Sequence, residues 1–161
     1  MKTQGQDQGI ILGIDVDTTS DLMVLSNTLG EVTVQHLSSG NTINVFPQYE
    51  TISRLSANNM YIGDIDLSPD ASMIAVTFTG YDANLIRIIR TEDGSLVKEL
   101  FIHSTLGQID WAATPNGERI AITSSLGGGS LYDRYIVMVD ASNFEVLYEK
   151  EVNEYSGIEL E

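Results

Sequence analysis

The chain predicts an all-β fold, built as an array of small four-stranded antiparallel sheets. Three observations predict it: a short motif recurs three times, the apolar segments keep strand length, and turn residues punctuate them at regular intervals. The motif is Gly13-Ile14-Asp15-Val16 leading to Leu22-Met23-Val24-Leu25, then Asp64-Ile65-Asp66-Leu67 leading to Met73-Ile74-Ala75-Val76, then Gln108-Ile109-Asp110-Trp111 leading to Arg119-Ile120-Ala121-Ile122. Its Ile-Asp pair returns after roughly 45 to 50 residues, a period that belongs to arrays of sheets rather than to helical repeats. Helical spacing never persists for three turns.

The first unit, about residues 10–46, is divided by turns at Asp17 to Ser20, Thr28-Leu29-Gly30 and Ser38-Ser39-Gly40-Asn41. A connection over 47–60 follows, in which Thr51-Ile52-Ser53-Arg54-Leu55 is read as a helical turn that covers a strand edge. The second unit, about 61–103, has strands at Ile62 to Leu67, Met73 to Phe78, Leu85 to Ile89 and Leu96 to Phe101. Ser68-Pro69-Asp70 makes its first turn, because proline presets φ and aspartate bonds back to its own backbone; Glu92-Asp93-Gly94-Ser95 makes its last through a glycine that tolerates positive φ. The third unit, about 104–152, repeats the layout. Its strands are Gln108 to Ala112, Arg119 to Thr123, Tyr135 to Asp140 and Glu145 to Glu149, with Pro115-Asn116-Gly117 and Ala141-Ser142-Asn143 at the turns. The tail, 153–161, holds Ser156-Gly157-Ile158-Glu159-Leu160, which reads as the start of another unit, while Leu160-Glu161 is equally consistent with a vector scar.

Four antiparallel strands at this period make a propeller blade, stacked face to face with its neighbours around a channel. Ile65 through Val76 resembles the inner-strand and turn signature of the WD-repeat and YVTN-type propeller families, and Tyr135 to Asp140 with Glu145-Val146-Leu147 is similar to the third and fourth strands of YVTN repeats. The resemblance covers about residues 10–155 and implies an incomplete ring of about three blades. It departs from true WD repeats at the closing Trp-Asp pair, where Gln35-His36, Ile89-Arg90 and Val139-Asp140 stand instead, and at His103, which follows Ile102 rather than glycine. Closed propellers typically use 4–8 blades. An arc of three therefore leaves two apolar terminal faces, which calls for a second copy, another chain or the rest of a larger protein to cover them.

At 161 residues with 42% apolar content the chain suits one globular domain, 1–161, with mean hydropathy near zero. No stretch approaches the roughly 20 apolar residues of a bilayer span, and the opening residues lack the layout of a secretion signal, so a soluble chain is expected, with the cytoplasm favoured. Eight basic against 23 acidic residues give a net charge of −15, which repels a phosphate backbone and argues against nucleic acid as a partner. Glu145, Glu149, Glu151, Glu154, Glu159 and Glu161, relieved only by Lys150, form either a solvated face or a docking surface for a basic partner. The absence of cysteine excludes disulfides, thiolate metal sites and cysteine catalysis.

Asp15, Asp66 and Asp110 fall on the inner strands and are the candidate channel-lining carboxylates. A ring of them gathers a cation or a basic peptide; alternatively each caps a turn or accepts backbone hydrogen bonds between blades. Asp15, Asp17 and Asp21 are close enough in sequence to suggest calcium, yet lack the glycine and distal glutamate of an EF-hand loop. Tyr81-Asp82 and Tyr132-Asp133-Arg134 lie in two long connections that project from one face of the disc, where they are either partner contacts or loop supports. Trp111 is read as a ligand-stacking residue or as core between two blades. His36 and His103 sit in different units with no serine elbow beside them, because Gly128-Gly129-Ser130-Leu131-Tyr132 fails the nucleophile pattern. No catalytic residue, resident metal or cofactor is expected. The residues thus favour a non-catalytic protein-interaction scaffold binding a protein partner or a second copy of itself. The alternatives are a fragment of a propeller hydrolase or lyase with channel carboxylates and a divalent ion such as Ca, and a purely structural or engineered self-assembling blade module.

Overall fold

The computed structural model describes residues 9–47, 60–80, 84–102, 105–125 and 134–151. They form three four-stranded antiparallel sheets, each threaded in simple sequence order. The first holds β1 (Ile11–Asp17), β2 (Leu22–Asn27), β3 (Glu31–His36) and β4 (Thr42–Pro47). The second holds β5 (Met60–Leu67), β6 (Met73–Gly80), β7 (Asn84–Arg90) and β8 (Leu96–Ile102). The third holds β9 (Thr105–Thr114), β10 (Gly117–Ser125), β11 (Arg134–Asp140) and β12 (Glu145–Glu151). No helix occurs among the described residues, and no sheet closes into a barrel. The fold is a β-propeller-like array of three blades in an incomplete ring, as the repeat predicts. The helical turn expected at Thr51 to Leu55 lies outside the described residues.

The three sheets share one register. Asp15, Val24, Val34 and Asn44 stand opposite one another across the first sheet, and Asp66, Ala75, Ile88 and Lys98 do so across the second. In the third the row is Asp110, Ala121, Met138 and Tyr148. Because side chains alternate across a strand, the adjacent rows face the other way. These are Ile14, Leu25, Thr33 and Val45; Ile65, Val76, Arg87 and Glu99; and Ile109, Ile122, Val137 and Glu149. The acid-bearing row of each sheet packs on the isoleucine-bearing row of the next. Two cores result: Val24, Val34, Ile65, Val76 and Phe78 between the first and second sheets, and Ala75, Ile88, Ile109, Trp111 and Ile122 between the second and third.

Among the described residues one charged side chain is buried in this packing. Arg87 is 2% exposed, and its Nη2 lies 2.8 Å from Glu99 Oε1 on the neighbouring strand while Nε donates to the same oxygen at 2.9 Å. Its guanidinium carbon also sits 5.9 Å from the centre of the Phe78 ring. Such pairing is what makes a buried guanidinium tolerable, since an unpaired one carries a desolvation cost of several kcal/mol.

The turns repeat as well. Asp21 and Ala71, between the first and second strands, and Gly117, the first residue of β10, take positive φ, and Gly40, Gly94 and Phe144 do so between the third and fourth strands. Phe144 is the exception in its series, at φ 58° where the other two sheets use glycine. Its ring meets Trp111 edge to face at 6.4 Å, a contact that offsets the backbone cost of about 1–2 kcal/mol. Gly94 has a second reason to be glycine, because an added Cβ would lie 2.4 Å from the Phe46 ring of the first sheet.

Each inner strand carries a register shift just before its Ile-Asp pair. In the second and third sheets a threonine hydroxyl occupies the bulge. Thr77 Oγ1 accepts from the Asp64 N–H at 2.7 Å and donates to the Asp64 carbonyl at 3.2 Å; Thr123 Oγ1 does the same with Gln108 at 2.8 and 3.4 Å. Gly63 and Gly107 precede these positions because any Cβ there would come within 2.6 Å of the threonine oxygen. The first sheet has Ser26 in the equivalent place, and its buried hydroxyl finds no hydrogen-bond partner.

Candidate functional site: inner-strand carboxylates and open sheet faces

The inner strands β1, β5 and β9 pack side by side, which brings together the three aspartates singled out by the repeat. The Leu67 N–H donates to Asp15 Oδ2 at 2.9 Å and to Asp66 Oδ1 at 3.1 Å. The Trp111 N–H donates to Asp66 Oδ2, and the Ile109 N–H donates to Asp64 Oδ2 at 3.1 Å. A carboxylate of one sheet thus accepts the backbone amide of the next, and each such amide belongs to the residue directly after an inner aspartate or one before it. Of the two roles open to these acids, Asp15 and Asp66 perform the second: they bond backbone across the junctions.

Their electrostatics follow from this crowding. Burial, then a side-chain hydrogen bond to Asp15 and the Asp15 charge, push the Asp66 carboxyl up to about 8. Raised in this way, the Asp66 carboxyl holds a proton to higher pH than an exposed aspartate does, while it accepts from the Trp111 N–H. Burial and the charge of Asp15 also raise Asp110. By contrast, Asp17 and Asp21 lie below the ordinary carboxylate range because each accepts hydrogen bonds at a turn: Asp17 accepts from Ser20 and Thr19 in its own turn, and Asp21 accepts from the Ser38 hydroxyl and N–H in the turn between β3 and β4. Asp15, Asp17 and Asp21, close together in sequence, thus make three separate sets of hydrogen bonds: across a junction, within the β1–β2 turn, and to the β3–β4 turn. Among the described residues no group of three or more His, Asp or Glu side chains is placed to hold a metal ion.

Trp111 is 4% exposed, donates from Nε1 to Glu118 Oε2 at 3.1 Å, and belongs to the core between the second and third sheets. Tyr81, Asp82, Tyr132 and Asp133 lie outside the described residues, as does His103; Arg134 opens β11. His36 Nδ1 sits 3.4 Å from Asp21 Oδ2 at the surface. A shallow groove of about 450 Å³ opens between the first two sheets, floored by Leu22, Val34 and Ala71 and rimmed by Asn44, Arg90 and Glu92.

Two residues that the repeat did not single out prove to matter. Asp64 bonds across a junction beside Asp66, and the doubled Asp64-Ile65-Asp66 was its signal. Arg87 interrupts the apolar run Leu85 to Ile89 directly across from Glu99, a cross-strand pairing readable once the register is known.

The largest asymmetry lies on the end sheets. Ile65 and Ile109 are 2% and 7% exposed, whereas Ile14, in the same position of the first sheet, is 57% exposed. Leu67 and Trp111 are each 4% exposed; their counterpart Val16 is 46% exposed. With Leu12 and Val45 these residues leave an apolar face open on the first sheet. At the other end the row that no further sheet covers has Asp110 and Met138 partly exposed and Tyr148 48% exposed, with the small Ala121 between them at 3%.

No family model and no curated protein sequence matches the chain. Among solved structures it is similar to hydrazine synthase of Kuenenia stuttgartiensis, with a TM-score of 0.68 at 16% identity over 91% of this chain. The chain spans 38% of the length of that protein. At this identity the likeness is one of fold alone.

Proposed function

We propose that the chain is a non-catalytic protein-interaction scaffold built from propeller blades, completed by self-association or by the rest of a larger protein. The observation that carries this reading is the exposure of Ile14 on a face whose two counterparts are buried. Contiguous apolar surface of this kind marks a site of association. The loop segments holding Tyr81, Asp82, Tyr132, Asp133 and Arg134 are the proposed contacts to a further protein partner, with tyrosine supplying rigid area and a polar tip. Light scattering combined with an environment-sensitive apolar dye tests the reading. The expected result is either a mass above 17.6 kDa or a single chain that binds the dye; a single chain that leaves the dye dark overturns it.

A second reading is a fragment of a propeller hydrolase or lyase that uses the inner-strand carboxylates; the charges of Asp15, Asp66 and Asp110 act on one another, although the three are not grouped as an ion site as they stand. It predicts a thermal shift with a divalent ion such as Ca that Asp110→Asn abolishes. The scaffold reading predicts no ion-dependent shift, because two of the three acids already hold backbone amides.

A further inference from the structure

We infer that two copies of this chain join head to tail, the open face of the third sheet in one copy covering the open face of the first sheet in the other. This deepens the scaffold reading and rests on it. The two internal junctions supply the pattern. In each, an acid-bearing row of four lies on an isoleucine-bearing row of four, and the acid accepts the amide one position past the next inner aspartate: Asp15 from Leu67, Asp66 from Trp111. The chain carries one unmatched example of each half. Asp110 heads the row Ala121, Met138 and Tyr148 on the third sheet, and Ile14 heads the row Leu25, Thr33 and Val45 on the first.

The position equivalent to Leu67 and Trp111 in the first sheet is Val16. In the joined pair Asp110 of one copy accepts the Val16 N–H of the other, and Gln108, which occupies the place of Asp64, faces the Ile14 N–H as Asp64 faces that of Ile109. The apolar contacts agree with this placement. Ala121 stands where Val24 and Ala75 stand, Met138 where Val34 and Ile88 stand, and each of those four is buried under the next sheet. Among the described residues a surface with the matching rows occurs in one place, the first sheet of this same chain. A head-to-tail contact closes into a ring when the rotation permits, and twice three blades gives six, inside the 4–8 typical of closed propellers.

The test uses the full chain and three variants, with circular dichroism confirming that each keeps its strand content. Light scattering of the wild type at about 100 μM is expected to give twice 17.6 kDa. Ile14→Glu blocks one face and Met138→Glu the other, so each alone is expected at the single-chain mass. Mixed in equal amounts they are expected to regain a two-copy species, because the third sheet of the first variant and the first sheet of the second are both intact. Asp110→Val, which loses only the amide acceptor, is expected to weaken the wild-type pair by about 10–100-fold, as loss of a charged hydrogen bond does. A wild type that stays single and binds the apolar dye overturns the second copy as occupant while leaving the scaffold reading in place. A wild type that stays single without binding dye overturns both. A pair that survives Ile14→Glu, or a mixture that fails to restore it, overturns the head-to-tail arrangement.

Discussion

Strand β7 of the middle sheet buries six consecutive residues, Asn84 to Ile89, while β3 buries only Val32 and Val34 and, from Tyr135 to Asp140, β11 buries only Val137 and Val139. All three are third strands of sheets with the same order and register. What differs is the number of neighbours: β7 is covered on both faces, the others on one. The sequences anticipate this unequally. Glu31-Val32-Thr33-Val34-Gln35-His36 alternates polar and apolar, as a half-covered strand should. Tyr135-Ile136-Val137-Met138-Val139-Asp140 is apolar on both faces, like Leu85 to Ile89, although Ile136 and Met138 are only partly covered here. The third sheet is thus written as a middle sheet and stands at an end.

The sharpest way to break this comparison is to empty the same position in both sheets. Ile88→Ala is expected to cost about 2–5 kcal/mol, through lost burial and the cavity left between two sheets. Met138→Ala, made in the Ile14→Glu background that keeps chains apart, is expected to cost about 1 kcal/mol or less, because that site opens to solvent. Urea midpoints measure both. Equal losses would show that the third sheet is already covered in the single chain.

The junction acids give the next largest effect. Asp66 titrates near its ordinary value in the unfolded chain but near 8 when folded, so between about pH 4 and pH 8 the folded state holds a proton the unfolded state has released. Stability therefore falls as pH rises through that window. Asn at position 66 keeps both an acceptor for Trp111 and a donor toward Asp15 without ionising. Asp66→Asn is expected to flatten the decline by on the order of 2 kcal/mol after solvent screening, read as urea stability at pH 5 and pH 8.5. An unchanged slope would place the titration elsewhere.

A smaller contrast separates the inner-strand bulges. Thr77→Ala removes a hydroxyl that satisfies both the amide and the carbonyl of Asp64, at an expected cost of about 1–2 kcal/mol; Ser26→Ala removes a buried hydroxyl with no partner and is expected to be neutral or to gain up to about 1 kcal/mol. If both variants lose equally, the first-sheet bulge is built like the second. The smallest expected effect is at the last turn: Phe144→Gly relieves positive φ but loses the contact with Trp111, for a net change within about 1 kcal/mol, whereas Phe144→Ala keeps the strain and loses the contact, and is expected to be the less stable of the two. Thermal melts rank them.

The strand layout was legible because every turn announces itself: Ser68-Pro69-Asp70, Pro115-Asn116-Gly117 and Asp93-Gly94 mark strand ends that the structure reproduces within a few residues. The acid-to-amide junctions were legible only as one of two alternatives. Their donors lie 45 to 52 residues away, a separation that matches the repeat period but does not say which atoms of successive repeats meet. The bulge threonines were invisible for a related reason. Thr77 and Thr123 look like ordinary strand formers until the shifted register shows which amide each one meets.

The junctions also have a direction. In both internal joints the carboxylate comes from the earlier sheet and the amide from the later one, so any sheet bearing the motif arrives with a complete set of ends. Tandem duplication of one unit lengthens the series without new recognition chemistry. The tally of units in a finished ring then answers to the wedge angle alone, and growth of such proteins by copying is a matter of geometry rather than of inventing fresh contacts.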